Sequence, residues 1–246
     1  MSTLLAFQLR RLGRNRQFLF FTVVLPAAFT VFFTQVFAGA PGGVSQEQAA
    51  ATMVSMMAYG AIGAALGATI RLSFDRASGW LRQLRVTPVP QTSVVAVDVA
   101  VGMLLTLPPL LVVAAVGRFV NGVRLEAGQW ASLVAVLWLA SAVFVALGLL
   151  LGWALEEKAA GGAIGVVGSV LALLGGLWVP VELFPSGLRA VASALPSYWY
   201  AEAGREAAAS GAPAVLPLLV LTGFAALFAA LTVVVARRRP LTAVAG

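Results

Sequence analysis

FLFFTVVLPAAFTVFFTQVF, residues Phe18–Phe37, is twenty residues long and holds no charged side chain. A helix of that length covers about 30 Å, the thickness of a bilayer's hydrocarbon core. Pro26 removes one N–H inside the run and is expected to kink it. Ala38-Gly39-Ala40 follows and is similar in form to a signal-peptidase site. However, the run exceeds the usual length of a signal's apolar region, and Pro41 would follow the cut. A retained first span is expected.

The same reading extends along the chain. Of 246 residues, 61% are hydrophobic and 10% charged, against about a quarter charged in soluble domains. The class is an all-α integral membrane protein. Spans are expected at about 18–37, 49–70, 93–117, 130–153, 161–178 and 213–236, a single transmembrane domain over 1–246. Gly60, Gly63, Ala64 and Gly67 fall near one face of the second span and favour close helix packing. Pro108-Pro109 are expected to break the third span near its middle. Trp130 and Trp153 bracket the fourth as interfacial anchors. Between the fifth and sixth spans, short helices are expected between Pro185 and Pro196 and over Tyr198–Ala209, interfacial or re-entrant. Pro180 and Pro185 shape the turn before them.

The net charge of +7 sits at the ends of the apolar runs, which argues for topology and against nucleic-acid binding. Arg10, Arg11, Arg14 and Arg16, interleaved with Leu4, Leu5, Phe7, Leu9 and Leu12, read as an interfacial helix on anionic lipid. On alternate sides of the membrane the Lys and Arg residues number twelve and four. The richer side holds both termini and the segment 71–92, so these are expected in the cytoplasm.

That segment contains FDRASGWLRQLRVTPVP, Phe74–Pro90. On a helical wheel Phe74, Ala77, Trp80, Leu81 and Leu84 share an arc of about 120°. Arg76 and Arg85 flank it, with Asp75, Gly79, Arg82 and Gln83 opposite. Ser73 can cap the start, and Pro88 and Pro90 stop it. This is a short amphipathic helix with cationic edges, suited to a partner's groove or a lipid surface.

Energising and catalytic chemistry is missing. No G-x-x-x-x-G-K-[ST] loop is present, so no nucleotide hydrolysis of that kind is expected. With no His and no Cys, the commonest general base, metal ligands and disulfides are excluded. No metal site and no cofactor held by this chain is expected. Asp98, inside the third span, has three readings: an ion pair with Arg71, Arg76 or Arg85, a polar group lining a path, or a titrating proton site. Tyr198, Trp199 and Tyr200 read as an aromatic belt. Glu202, Arg205 and Glu206 are spaced to pair on one helix.

Two segments give the chain a resemblance to the ABC-2 type transporter permease family, over essentially its whole length. Asp75-Arg76-Ala77-Ser78-Gly79-Trp80-Leu81-Arg82-Gln83-Leu84-Arg85-Val86-Thr87-Pro88 is similar to the family's first cytoplasmic loop. Asp75 stands where Glu is more usual, and Trp80 where a small hydroxyl residue is common. Pro180, Phe184-Pro185, Leu188-Arg189, Pro196, Tyr200 and Arg205 resemble its extracellular segment. The resemblance implies the permease subunit of an ATP-driven exporter in a bacterial inner membrane. Two copies of a separate ABC ATPase would supply ATP and Mg, and a second permease chain, identical or homologous, would complete the path. Phe74, Asp75, Arg76, Gly79, Trp80, Leu81, Leu84, Arg85 and Pro88 would couple to the ATPase. The path would run along the first, second and fifth spans, with Asp98, Tyr200, Glu202 and Arg205 as path or gate residues. The implied cargo is amphipathic or lipidic, a drug, an antibiotic or a glycolipid. Two other classes remain: a non-transporting assembly, anchoring or immunity subunit, which would move nothing in vesicles, and a lipid-modifying membrane enzyme, which would act without a partner.

Overall fold

The computed structural model describes residues 15–38, 43, 45–69 and 91–238, with the side chains of 91–94 and 157 set aside. The N-terminal basic segment before Asn15, the coupling stretch Phe74–Pro90 and the end of the C-terminal arginine cluster lie outside them. Every described element is helical. In chain order these are α1 (Arg16–Leu19), a π-turn (Phe20–Val24), α2 (Leu25–Ala38), α3 (Gln46–Thr69), α4 (Gln91–Phe119), α5 (Ala127–Ala140) and α6 (Ala142–Ala154). After them come α7 (Glu157–Leu174), a 3-10 turn (Val181–Leu183), α8 (Ser186–Ser193), α9 (Pro196–Ser210) and α10 (Val215–Arg238). Among the described residues, five stretches are long and apolar enough to cross a membrane: Arg16–Val36, α3, Val95–Phe119, α5–α6 together, and α10.

The first span starts where Asn15 Oδ1 accepts the Phe18 N–H at 3.1 Å. Its irregularity lies upstream of Pro26. That proline cannot donate to the Thr22 carbonyl, and the helix widens into the π-turn, where Leu25 N–H reaches back to Phe20 O. Thr22, Pro26, Thr30 and Thr34, four residues apart, are buried, while Phe21, Val24 and Phe32 face outward. The span hides its polar row and shows its phenylalanines, as a lipid-bathed helix should. The threonine hydroxyls cost little there, because Thr22 and Thr30 donate to the carbonyls of Phe18 and Pro26, each at 2.8 Å.

α3 is the axis of the molecule. Its span is 72% buried, against 6% for α10. It packs on the first span, α4, α6, α7 and α9. The small-residue face expected from Gly60, Gly63 and Gly67 is used as such. A Cβ on Gly60 would lie 2.8 Å from the Thr22 carbonyl oxygen and 2.9 Å from Pro109 Cβ, and one on Gly67 would lie 2.8 Å from the Phe18 ring.

One expectation about a helix break is corrected. Pro108 and Pro109 do not break the third span, for α4 is continuous through both. Unpaired backbone has no solvent in a bilayer core, and Pro109 is wedged against Gly60, so packing holds the helix together. The fourth span is interrupted at Ser141. The Ser141 hydroxyl donates to Trp138 O at 2.6 Å and lies 3.2 Å from Thr106 Oγ1. Trp138 Nε1 meanwhile donates to Met103 O at 3.0 Å. Back-bonding serines bend helices, and here the bend is tied across to α4.

The expected fifth span, 161–178, is shorter as a helix. α7 ends at Leu174, and Gly175–Trp178 is a turn. Its apolar part, 159–174, covers about 24 Å. The two expected short helices are present as α8 and α9. α9 is inserted between the spans. Its Tyr200 hydroxyl donates to Leu137 O at 2.7 Å, and its far end, Ala209 O, accepts from Gln129 Nε2 at 2.9 Å. Leu137 and Gln129 are eight residues apart on α5, about 12 Å, so α9 runs antiparallel beside α5 to that depth. The re-entrant reading of α9 is therefore the one its contacts favour.

Candidate functional site

Most of α3 is sealed, and its opening is narrow. Thr52, Tyr59, Gly63 and Gly67 are half-buried along it and fall within about 80° of arc at 100° per residue. Gly63 and Gly67 touch Thr22 and Phe18 of the first span. Tyr59 meets the Trp178 ring just beyond α7, edge-to-face with centroids 5.4 Å apart. The sliver is thus the floor of a groove, with the first span along one side and the α7 end on the other.

The first span turns Phe20, Phe21, Val24, Phe32 and Val36 outward, each at least half exposed. α7 leaves Gly161, Gly162, Gly165, Val166, Ser169, Val170 and Leu173 exposed. Nothing within 4 Å would meet a Cβ on any of the three glycines. These faces are apolar, smooth on α7 and aromatic on the first span, and no neighbour among the described residues covers them.

The mid-groove Tyr59–Trp178 pair sits thirteen residues into α3 from Gln46, about 20 Å along it. Trp178 Nε1 is buried and makes no hydrogen bond among the described residues. Close by, Gly175 abuts Ser197 at the start of α9, where a Cβ would collide with the Ser197 side chain. α7 therefore stops against the inserted helix, and its exit turn carries Trp178 over Tyr59.

Neither Tyr59 nor Trp178 stood out in the sequence as a site residue. The signal was there for Tyr59, which shares the helical face of Gly63 and Gly67. For Trp178 it was masked by the expectation that the fifth helix runs on to that residue.

The residues singled out from the sequence lie apart. Asp98 is half-buried on α4, while Tyr200, Glu202 and Arg205 are on α9, whose main neighbours are α3, α5, α7, α8 and α10. Tyr200 is fully buried, packed on Phe144 with ring centroids 5.1 Å apart. Gly204, one turn on, lies tight against Val54 and Leu137, which fixes how closely α9 approaches α3 and α5.

Arg205 donates through Nε and Nη2 to Glu202 Oε2, at 3.1 and 2.9 Å. Glu206 instead accepts the Ala214 N–H at 2.7 Å, tying α9 to the start of α10. Tyr198 packs edge-on against Trp199, at 5.2 Å. Arg189 is spent on the turn before α8, donating to Phe184 O and Glu182 O at 2.8 and 2.9 Å. No cluster of acidic residues that could hold a metal occurs among the described residues.

Residues 1–209 match the family model described as ABC-2 type transporter. The chain belongs to the ABC-2 type transporter family. It is also similar to the protein named "Putative transport permease YvfS" of Bacillus subtilis (strain 168), 27% identical over 237 residues, spanning 94% of this chain and 95% of that one. ABC-2 membership makes this a multi-pass membrane protein and a transporter permease subunit, of a kind that works with an ABC ATPase and is not itself the catalyst.

Proposed function

We propose that this ABC-2 chain is the permease of an ATP-driven exporter that moves an amphipathic or lipidic compound out of a bacterial cell. Two permease chains face each other through the uncovered walls of the first span and α7, and two ATPase subunits carrying ATP and Mg dock below. Both termini lie in the cytoplasm. Six membrane segments are counted, with α7 and its exit turn completing the fifth. Phe74–Arg85 is the docking helix for the ATPase, with Phe74, Trp80, Leu81 and Leu84 in its groove and Arg76 and Arg85 on an acidic rim. Asp98 is near the docking end of the third span. Glu202 and Arg205, on the inserted helix, stand beside the outer end of the path.

The observation that carries this reading is the family match over residues 1–209. The apolar groove between the first span, α3 and α7 supports it. The test is co-purification and vesicle transport with its ABC ATPase partner. Leu81→Asp with Leu84→Asp should break the association and lower transport at least tenfold, while the permease still reaches the membrane. Unchanged association would rule out Phe74–Arg85 as the docking element. A complex that hydrolyses ATP yet moves no probe would favour an assembly or immunity role.

A further inference from the structure

The walls of the groove carry charge only near their ends. Along the first span the described ionisable side chain is Arg16, at the very start. On α3 it is Glu47 in the first turn, and on α7 the side chain described is Lys158, also in the first turn. Between those ends, over the exposed phenylalanines of the first span, the α3 floor and the glycine face of α7, no described residue is charged. The polar groups there are neutral, among them Gln35, Thr52, Tyr59, Ser169 and the indole N–H of Trp178. A charged group halfway along such a groove would lose its hydration and gain no counter-charge. A neutral oxygen acceptor would find a donor already in place, because Trp178 Nε1 is buried and unpartnered. A buried donor without an acceptor is a standing cost, relieved when one arrives.

We propose that the groove selects uncharged amphiphiles bearing neutral oxygen acceptors, such as esters and hydroxyls, and that Tyr59 and Trp178 form its mid-groove contact. Cargo parts the edge-to-face pair, stacks on the Tyr59 ring and gives its acceptor to the Trp178 N–H, which is shut from solvent until then. Phosphate-bearing lipids and cationic drugs are disfavoured for want of a counter-charge. This rests on the reading of the groove as the transport path.

The experiment uses the permease–ATPase complex in phosphatidylcholine nanodiscs. Three photoactivatable diazirine probes share the same tails: uncharged diacylglycerol, anionic phosphatidic acid and a cationic trimethylammonium analogue. Labelled peptides are mapped by mass spectrometry. The expected result is saturable labelling of 16–38, 46–69 and 157–178 by diacylglycerol, at least tenfold above either charged probe. Trp178→Phe, which keeps a ring and loses the N–H, should cut diacylglycerol labelling at least threefold. It should leave labelling by an acceptor-free diazirine alkane unchanged, a split that a merely misfolded variant would not show. Equal labelling of the same peptides by a charged probe would overturn the selectivity and leave the groove standing. Unchanged diacylglycerol labelling of Trp178→Phe would overturn the indole contact. Saturable labelling of none of these segments by any probe would overturn the path reading, and this inference with it.

Discussion

Tyr200 shows how far one hydroxyl can set the arrangement around it. It lies in the YWY run, where Tyr198 and Trp199 are partly exposed and Tyr200 is fully buried. In sequence the three read as one belt. What separates them is the periodicity that follows: Gly204 and Ala207 continue the Tyr200 face with residues small enough to let α9 sink between α3 and α5. Tyr200→Phe keeps the ring against Phe144 and strands the bond to Leu137. A loss of about 1 kcal/mol is expected, read as a lower unfolding midpoint in detergent.

At the scale of the element, α3 decides the fold, and its glycines were legible as contacts because their three- and four-residue spacing leaves one smooth face. Gly60→Val would push methyl groups against the Thr22 carbonyl and Pro109, neither of which can give way easily. A cost of about 1–3 kcal/mol is expected. Gly128→Val, where nothing lies within 4 Å of the added Cβ, should shift the midpoint far less; equal shifts would mean the α3 crossing is loose.

The break at Ser141 was not legible. A serine in an apolar run has no local signature that says whether it back-bonds its own helix or reaches a neighbour, and here Thr106 and Tyr200 arrive from distant parts of the chain. Pro108-Pro109 misled for the complementary reason. Local propensity favours a break, and the low-dielectric surroundings together with the Gly60 contact override it.

For the whole molecule, composition alone gave the class, because so few charges in so long a chain leave no other solvent for it. The family was readable from two loop segments, and five spanning helices and the pair of short helices before the last span from apolar runs and proline positions. The depth of α9 and the early stop of α7 were not, since both depend on which helix meets which.

The topology makes a sharp prediction. The chain contains no cysteine, so single substitutions can be labelled in the natural background. Trp80→Cys should react with a membrane-impermeant maleimide only after the cells are opened, and Leu188→Cys in intact cells. The reverse pattern would invert the molecule.

The back-bonded threonines bear on how the protein is made. Thr22, Thr30, Thr69, Thr106, Thr222 and Thr232 each donate to a carbonyl three or four residues earlier in their own helix. Each helix can thus leave the insertion machinery with those hydroxyls already satisfied, before any neighbour exists. Thr34 differs, because its hydroxyl accepts the Asn121 amide at 2.8 Å across 87 residues of sequence. That contact is closed only once the third span has been synthesised and has returned beside the first, so it marks the moment at which separate helices in lipid become one body.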